Sequence, residues 1–215
     1  MKEKLNLYLN ELITWNEKFN LTSITDPEEI KIKHFEDSIS LLQVIPLTNQ
    51  SVIDVGAGAG FPGIPLKIAC PEIRLTLVEA TRKKIEFLRH IVQALQLKDV
   101  EIIWGRAEEA VKDGKRELFD IALSRAVAKL NVLCEYCLPF VKVGGVFVAY
   151  KEEAVEEEVK EAASALNALG GEIKEIKKVK IANSELFRSL VIIEKILPTP
   201  PKYPRRSGMA KKKPL

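Results

Sequence analysis

Apolar residues recur with a helical period at the start of the chain and in short unbroken runs from residue 51 onward, and this change of rhythm divides the sequence. Leu5, Leu9, Leu12 and Ile13 mark one helix face, which Trp15 and Phe19 extend toward a loop at residues 20–26. A second helix is predicted from Asp26. That residue is a good N-cap, Pro27 suits the first helical position, and Glu29 stands where a capping box places its acid. Ile30, His34, Ser38 and Leu41 or Leu42 carry the helix to about Val44.

Strand and helix patterns then alternate. Strands are predicted near 51–55, 74–79, 100–104, 119–124 and 146–150, and helices near 63–70, 81–96, 107–112 and 129–139. Such alternation implies a parallel sheet with crossover helices. In the helix at 81–96, Ile85, Leu88, Val92 and Leu95 make the inward stripe, while Arg82, Lys83, Lys84, Arg89 and His90 form a cationic, mainly solvent-facing side. Gly144-Gly145 reads as the turn into the fifth strand. A charged helix over 152–169 ends at Gly170-Gly171, and two β-rich runs, 172–181 and 190–196, make a closing hairpin.

The first predicted strand runs into Asp54-Val55-Gly56-Ala57-Gly58-Ala59-Gly60-Phe61-Pro62-Gly63. Four glycines let the backbone turn sharply and approach a ligand with no Cβ in the way. Two patterns overlap there. Gly58 to Gly63 fits the dinucleotide pattern G-x-G-x-x-G, with Glu79 about twenty residues on as a ribose-binding acid. Asp54 to Gly60 fits D-x-G-x-G-x-G, which resembles the first motif of the S-adenosylmethionine-dependent methyltransferases of Rossmann-like fold. A hairpin closing the sheet resembles the seven-stranded methyltransferase sheet, whose last strand is antiparallel; a dehydrogenase usually has a second substrate domain, for which little chain remains.

Composition narrows the class. The 215 residues suffice for one α/β domain with extensions, read as a helical extension (1–50), a cofactor-binding domain (51–197) and a basic, Pro-rich C-terminal arm (198–215). No apolar run approaches the roughly twenty residues that span a bilayer, and Met1-Lys2-Glu3-Lys4 opens no secretory signal, so a cytoplasmic, membrane-free protein is expected. Cys70, Cys134 and Cys137 give an odd count and no disulfide framework, and with two histidines the expected metal content is none; packing is the reading for the Cys134 and Cys137 pair. The net charge is +3, yet six cations and no acid fall in the arm, leaving 27 basic against 30 acidic residues before it. Lys202, Arg205, Arg206, Lys211, Lys212 and Lys213, interleaved with prolines, predict an extended arm suited to polyphosphate.

Phe19-Asn20-Leu21-Thr22, His34-Phe35-Glu36-Asp37-Ser38, the run from Val52 to Leu66, and Ser124-Arg125-Ala126 stand in the order found in the bacterial RsmG family, also called GidB, and the ending from Lys202-Tyr203-Pro204-Arg205-Arg206 to Lys212-Lys213-Pro214-Leu215 is similar to the tail of many members. The resemblance covers essentially the whole chain. It implies a class I methyltransferase sheet that uses S-adenosylmethionine to methylate N7 of a guanine in the 530 loop of 16S ribosomal RNA, with the RNA or the 30S subunit as partner and no obligate protein partner evident. It places Asp54, Gly56, Gly58, Gly60 and Phe61 at the cofactor or shaping its loop, Glu79, Ala80 and Thr81 at the ribose, and Ala107 and Glu108 beside the adenine. Arg125, the one candidate catalytic residue, would reach the cofactor or the guanine, and no general base is expected.

Absent motifs agree with that target. An Asn- or Asp-Pro-Pro-aromatic element, suited to exocyclic amines, is replaced by Ser124-Arg125-Ala126, and the cysteine nucleophile needed for pyrimidine C5 has no Pro-Cys sequence here. Guanine N7 carries a lone pair and no proton, so in-line attack needs positioning and electrostatics only. His34, Asp37 and Ser38 share one helix face, for which structural hydrogen bonding, RNA contact and proton transfer all stand open. Lys151 is a phosphate or guanine candidate, with an exposed strand-end lysine as the alternative.

Overall fold

Strands buried on both faces need apolar residues at every position, and the central runs supply them. The computed structural model describes residues 1–125, 127–152 and 154–215. Its seven strands are β1 (Ser51–Val55), β2 (Arg74–Glu79), β3 (Val100–Trp104), β4 (Phe119–Arg125), β5 (Val141–Lys151), β6 (Gly171–Lys180) and β7 (Phe187–Lys195), in the order β3-β2-β1-β4-β5-β7-β6. The first five are parallel, β7 runs antiparallel to β5, and β6 pairs antiparallel to β7 at the edge. This is the expected class I methyltransferase sheet with helices on both sides.

Alternate residues feed two cores. Val52, Leu77, Leu123 and Val148 join the core under the N-terminal helices, while Ile53, Val55, Val78, Ala122, Phe147 and Ala149 join the core on the other face. The N-terminal part comprises α1 (Lys2–Phe19) and a continuous helical run, α2 (residues 27–43), whose middle widens and whose end tightens. Asp26 caps it, accepting from the Glu29 amide at 2.8 Å, but the Glu29 carboxylate pairs with Lys33 at 2.7 Å instead of closing a capping box. After β1 come α3 (Gly63–Ala69), α4 (Arg82–Ala94), α5 (Ala107–Ala110) and α6 (Leu130–Cys137). The helix expected over 152–169 begins only at Glu156 and divides into α7 (Glu156–Glu161) and α8 (Ala163–Leu169).

Three expectations are corrected. The fifth strand reaches back to Val141 through Gly144 and Gly145, where a bulge shifts the register against β4, so those glycines bend a strand instead of opening one. His90 faces solvent only in part: it bonds Glu11 at 2.6 Å and packs on Trp15, because α1 covers part of that side of α4. The C-terminal segment is no extended arm. Tyr203 and Ala210 are buried, and α9 (Met209–Lys212) makes a short helix against the domain. Cys134 and Cys137 are free and buried in α6, as packing predicts. Among the described residues no helix is long and apolar enough to cross a membrane, and no group of three or more potential metal ligands is placed to hold an ion.

The chain leaves β1 toward β2 on one side, whereas β4 leads toward β5 on the other. Loops following β1, β2, β3 and β4 therefore diverge around one crevice at the carboxyl ends of the strands, the place where open α/β sheets bind ligands.

Candidate functional site

The glycine loop after β1 is held from beneath. Its first amides, on Gly56 and Ala57, both donate to Val78 O at 2.9 and 3.0 Å. Tyr8 of α1, fully buried, donates its hydroxyl to Ala59 O. At Gly60 the backbone has φ +98°, and a Cβ would stand 2.5 Å from Ile64 Cδ1 and 2.6 Å from the Tyr8 hydroxyl. Only glycine fits there. Asp54 reaches across to accept from the Gly63 amide at 2.8 Å through Oδ2, while its Oδ1 has no hydrogen-bond partner. Burial pushes the Asp54 carboxyl up to about 7, with the Gly63 amide and the Arg125 charge opposing and Glu79 adding to the rise. Asp54 thus lies under the loop, positioning it, and does not line the cleft.

Above the loop opens a cleft of about 940 Å³. One wall is Gly56 to Ala59 with Glu79, Ala80, Arg106, Ala107, Glu108 and Tyr136. The Glu79 carboxylate accepts from the Gly58 amide at 2.9 Å and the Thr81 amide at 2.7 Å, which ties the end of β2 to the glycine loop. Each oxygen keeps a lone pair for a hydroxyl. Gly58, at φ +61°, turns its bare Cα to the cleft; a methyl there would meet nothing closer than 4.0 Å. An acid at the second strand end, an open glycine cradle and a buried Glu108 fit the adenosine of a nucleoside cofactor. Lys84 lines this wall, whereas the sequence placed it on the solvent side.

The opposite wall is built from α2 and the ends of β4 and β7. Asp37, with no exposed side-chain surface, pairs with Arg125 (Nη1 to Oδ2, 2.7 Å) and with Arg188 (Nε to Oδ1, 2.6 Å; Nη2 to Oδ2, 3.1 Å). Arg125 also lies over the Phe61 ring, 5.2 Å from its centroid, and donates to His34 Nδ1 at 3.3 Å. A guanidinium only donates, so the assigned proton of His34 sits on Nε2, 2.8 Å from Thr22 Oγ1. Burial, followed by the Arg125 charge, depresses His34 to about 4, and its ring stacks on Phe61 at 4.5 Å. Ser38 donates to His34 O at 2.5 Å, and the buried Tyr150 hydroxyl donates to Ser38 O at 2.8 Å. His34, Asp37 and Ser38 thus form a hydrogen-bonded joint between α2 and the sheet. With both ring nitrogens engaged and the ring neutral, His34 holds no ready lone pair for proton transfer.

Of the residues singled out from sequence, Gly56, Gly58, Phe61, Glu79, Ala80, Ala107, Glu108, Arg125, His34, Lys151 and Lys211 converge on this cleft. Asp54 and Gly60 support it from behind, and Thr81, exposed beyond it, gives its amide to Glu79. Lys151 is not an open phosphate contact, since it pairs with Glu158 at 2.6 Å and donates to Ala128 O at 2.8 Å. Arg205 is engaged by buried Glu135, at 2.9 and 2.5 Å, and Lys202 lies over the Tyr203 ring. Arg206, Lys212 and Lys213 are exposed. Ala126, third in the Ser124-Arg125-Ala126 element, lies outside the described residues. Sequence reasoning missed Tyr8, Lys84, Tyr136 and Arg188. Arg188 lies two residues before the run read as the last strand, and Tyr8 adjoins Leu9 of the helix stripe, so neither carries a local signal.

Comparison with known proteins matches residues 1–187 to the family described as GidB, rRNA small subunit methyltransferase G, leaving the C-terminal segment outside the match. A curated "Ribosomal RNA small subunit methyltransferase G" of Alkaliphilus metalliredigens is 48% identical over 215 residues, covering 99% of this chain and 90% of that protein. The protein of the same name from Acetivibrio thermocellus is 48% identical over 214 residues, covering 99% and 88%. Among solved structures, the precorrin-6y C5,15-methyltransferase of Geobacter metallireducens superposes with TM-score 0.56 at 16% identity, covering 75% of this chain and 87% of that one, which concerns the fold alone.

Proposed function

The chain belongs to the GidB family, the rRNA small subunit methyltransferases G, and from that premise we propose that it methylates N7 of a guanine in the 530 loop of 16S ribosomal RNA. Family membership settles the choice of cofactor left by the overlapping glycine patterns: the methyl donor is S-adenosylmethionine, not a nicotinamide. When bound, it supplies an electrophilic methyl on a sulfonium.

The chain's own residues do the rest. Gly56 and Gly58 offer bare backbone, Glu79 receives ribose hydroxyls, and Ala107 and Glu108 border the adenine. The observation that carries the target assignment is the facing wall. Arg125 and Arg188 bracket one buried carboxylate, so two guanidiniums share a single negative charge and leave the wall cationic beside a neutral His34. Such a wall suits the electron-rich O6 and N7 edge of guanine, which arginine donors recognise. Because N7 bears no proton, attack needs alignment and no prior deprotonation, and the positive charge carried by the sulfonium passes to the methylated ring. Arg125, bound to Asp37, His34 and Phe61, acts as a positioning residue; Arg188 is the more open of the pair. The base must come from a single-stranded loop or an assembly intermediate, since its edge is out of reach in an RNA duplex. The 16S RNA or 30S subunit is accordingly the partner, in the cytoplasm.

Incubating 30S subunits from a strain lacking this protein with tritiated S-adenosylmethionine, followed by borohydride and aniline cleavage at N7-methylguanine, tests the proposal. One cleavage in the 530 loop is expected. Label retained without cleavage places the methyl on another atom and overturns the N7 assignment.

A further inference from the structure

The cations of the C-terminal segment read from sequence as an RNA arm, yet the segment is fastened to the domain at successive points. Buried Lys195 donates to Thr199 Oγ1 at 2.5 Å and to Leu138 O at 2.8 Å, and the Thr199 amide donates to Glu117 at 2.7 Å. Arg116 donates to the carbonyls of Thr199 and Tyr203. Arg205 grips Glu135, a carboxylate with 1% of its side chain exposed, through its backbone amide, Nε and Nη2. Three residues later the Gly208 amide donates to Glu108 Oε1 at 2.9 Å. Glu108 is itself buried and lines the cofactor cleft, as does Lys211 from α9. The chain has crossed the face of α6 to reach the wall opposite the guanidinium pair.

From this geometry we infer that the segment from Thr199 to Lys211 is a part of the cofactor site, in which the Gly208 amide is the positioning group that fixes Glu108 against the adenosine. The inference rests on the methyltransferase reading above. A buried carboxylate without a donor on one oxygen would rotate or take up a proton. The Gly208 N–H holds Oε1 and leaves Oε2 to meet a donor such as an exocyclic amine. Gly208 stands at φ +82°, and a Cβ on it would meet nothing within 4 Å, so its glycine serves the backbone direction that aims the amide, not a tight packing need.

Titration calorimetry with S-adenosylhomocysteine on the full-length chain tests this. Gly208→Pro removes the donor and the positive φ; Gly208→Ala keeps the donor in a strained backbone. Expected are a loss of cofactor affinity of about tenfold or more in the proline variant, a smaller loss in the alanine variant, and 30S affinity at saturating cofactor within twofold of the parent. Arg205→Gln, which loosens the preceding anchor, is the second variant if the proline chain does not fold, and should weaken the cofactor in the same direction. Unchanged cofactor affinity in folded variants with weakened 30S binding would make the segment an RNA arm and overturn the inference, as would no change in either. Failure of the parent chain to bind S-adenosylhomocysteine at all is a different result: it sinks the methyltransferase reading itself.

Discussion

Replacing Asp37 by asparagine removes one charge from the centre of the joint between α2 and the sheet while keeping the side chain's size. Three hydrogen bonds to guanidiniums end on this carboxylate, one from Arg125 and two from Arg188. The amide keeps one acceptor and points a donor at an arginine. Arg125, with 9% of its side chain exposed, has almost no water to turn to; Arg188, at 20%, has some. Stripping one partner from a buried ion pair typically costs about 3–5 kcal/mol, and partial rehydration of Arg188 puts the expected loss at about 4 kcal/mol. That is a large part of the roughly 5–15 kcal/mol by which a domain is stable. At about 2–4 °C per kcal/mol for this size, the melting temperature should fall by roughly 8–16 °C. Urea unfolding of both proteins, with an unchanged m-value, gives the measurement. A companion Arg188→Gln chain and the double variant give the coupling between the two residues. A loss below about 1 kcal/mol for Asp37→Asn would refute the reasoning, because the guanidiniums would then have found other partners without cost.

Asp54 and His34 set opposing pH dependences. The folded Asp54 carboxyl lies at about 7, above its unfolded value of 3.8, so its contribution is present below the unfolded value and is lost as pH rises toward 7. His34, at about 4 in the fold against 6.5 unfolded, contributes above 6.5 and loses this as pH falls toward 4. Asp54→Asn should therefore gain stability relative to the parent on going from pH 4 to pH 8, on the order of 4 kcal/mol, since each tenfold change in proton affinity is worth about 1.4 kcal/mol; parallel pH profiles in thermal unfolding would contradict it. Glu79→Gln keeps the size but loses the charge that gathers the Gly58 and Thr81 amides, and should weaken S-adenosylhomocysteine by about 10- to 100-fold in calorimetry, from the roughly 1.5–3 kcal/mol of a charged hydrogen bond. Equal affinities would remove Glu79 from the site. Gly60→Ala should lose about 3 kcal/mol in denaturant unfolding, from overpacking against Ile64 and Tyr8 and from the positive φ; a neutral substitution would mean the loop relaxes freely.

The sequence alone determined the sheet class, most strand positions, the glycine loop and the acid at the end of β2, because each is written in local terms. A strand buried on both faces needs an unbroken apolar run, a helix needs its period, and a backbone that turns at φ above zero beside a ligand needs glycine; all are satisfied by neighbours in the chain. The tertiary structure decided what those neighbours could not. Asp37 and Arg188 are 151 positions apart, Tyr8 and Ala59 are 51 apart, and Gly208 and Glu108 are 100 apart. No local pattern marks such pairs, so Arg188 fell just outside the run read as the last strand and Tyr8 stood beside a helix stripe without being assigned to it. The same holds for the C-terminal cations. Their sign is legible in the chain, but whether a cation meets phosphate or a protein carboxylate depends on what the fold brings beside it, and for Arg205 the fold brings buried Glu135. Charge is a property of composition; its partner is a property of packing, since a carboxylate removed from water must find a cation or amide donors or else take up a proton.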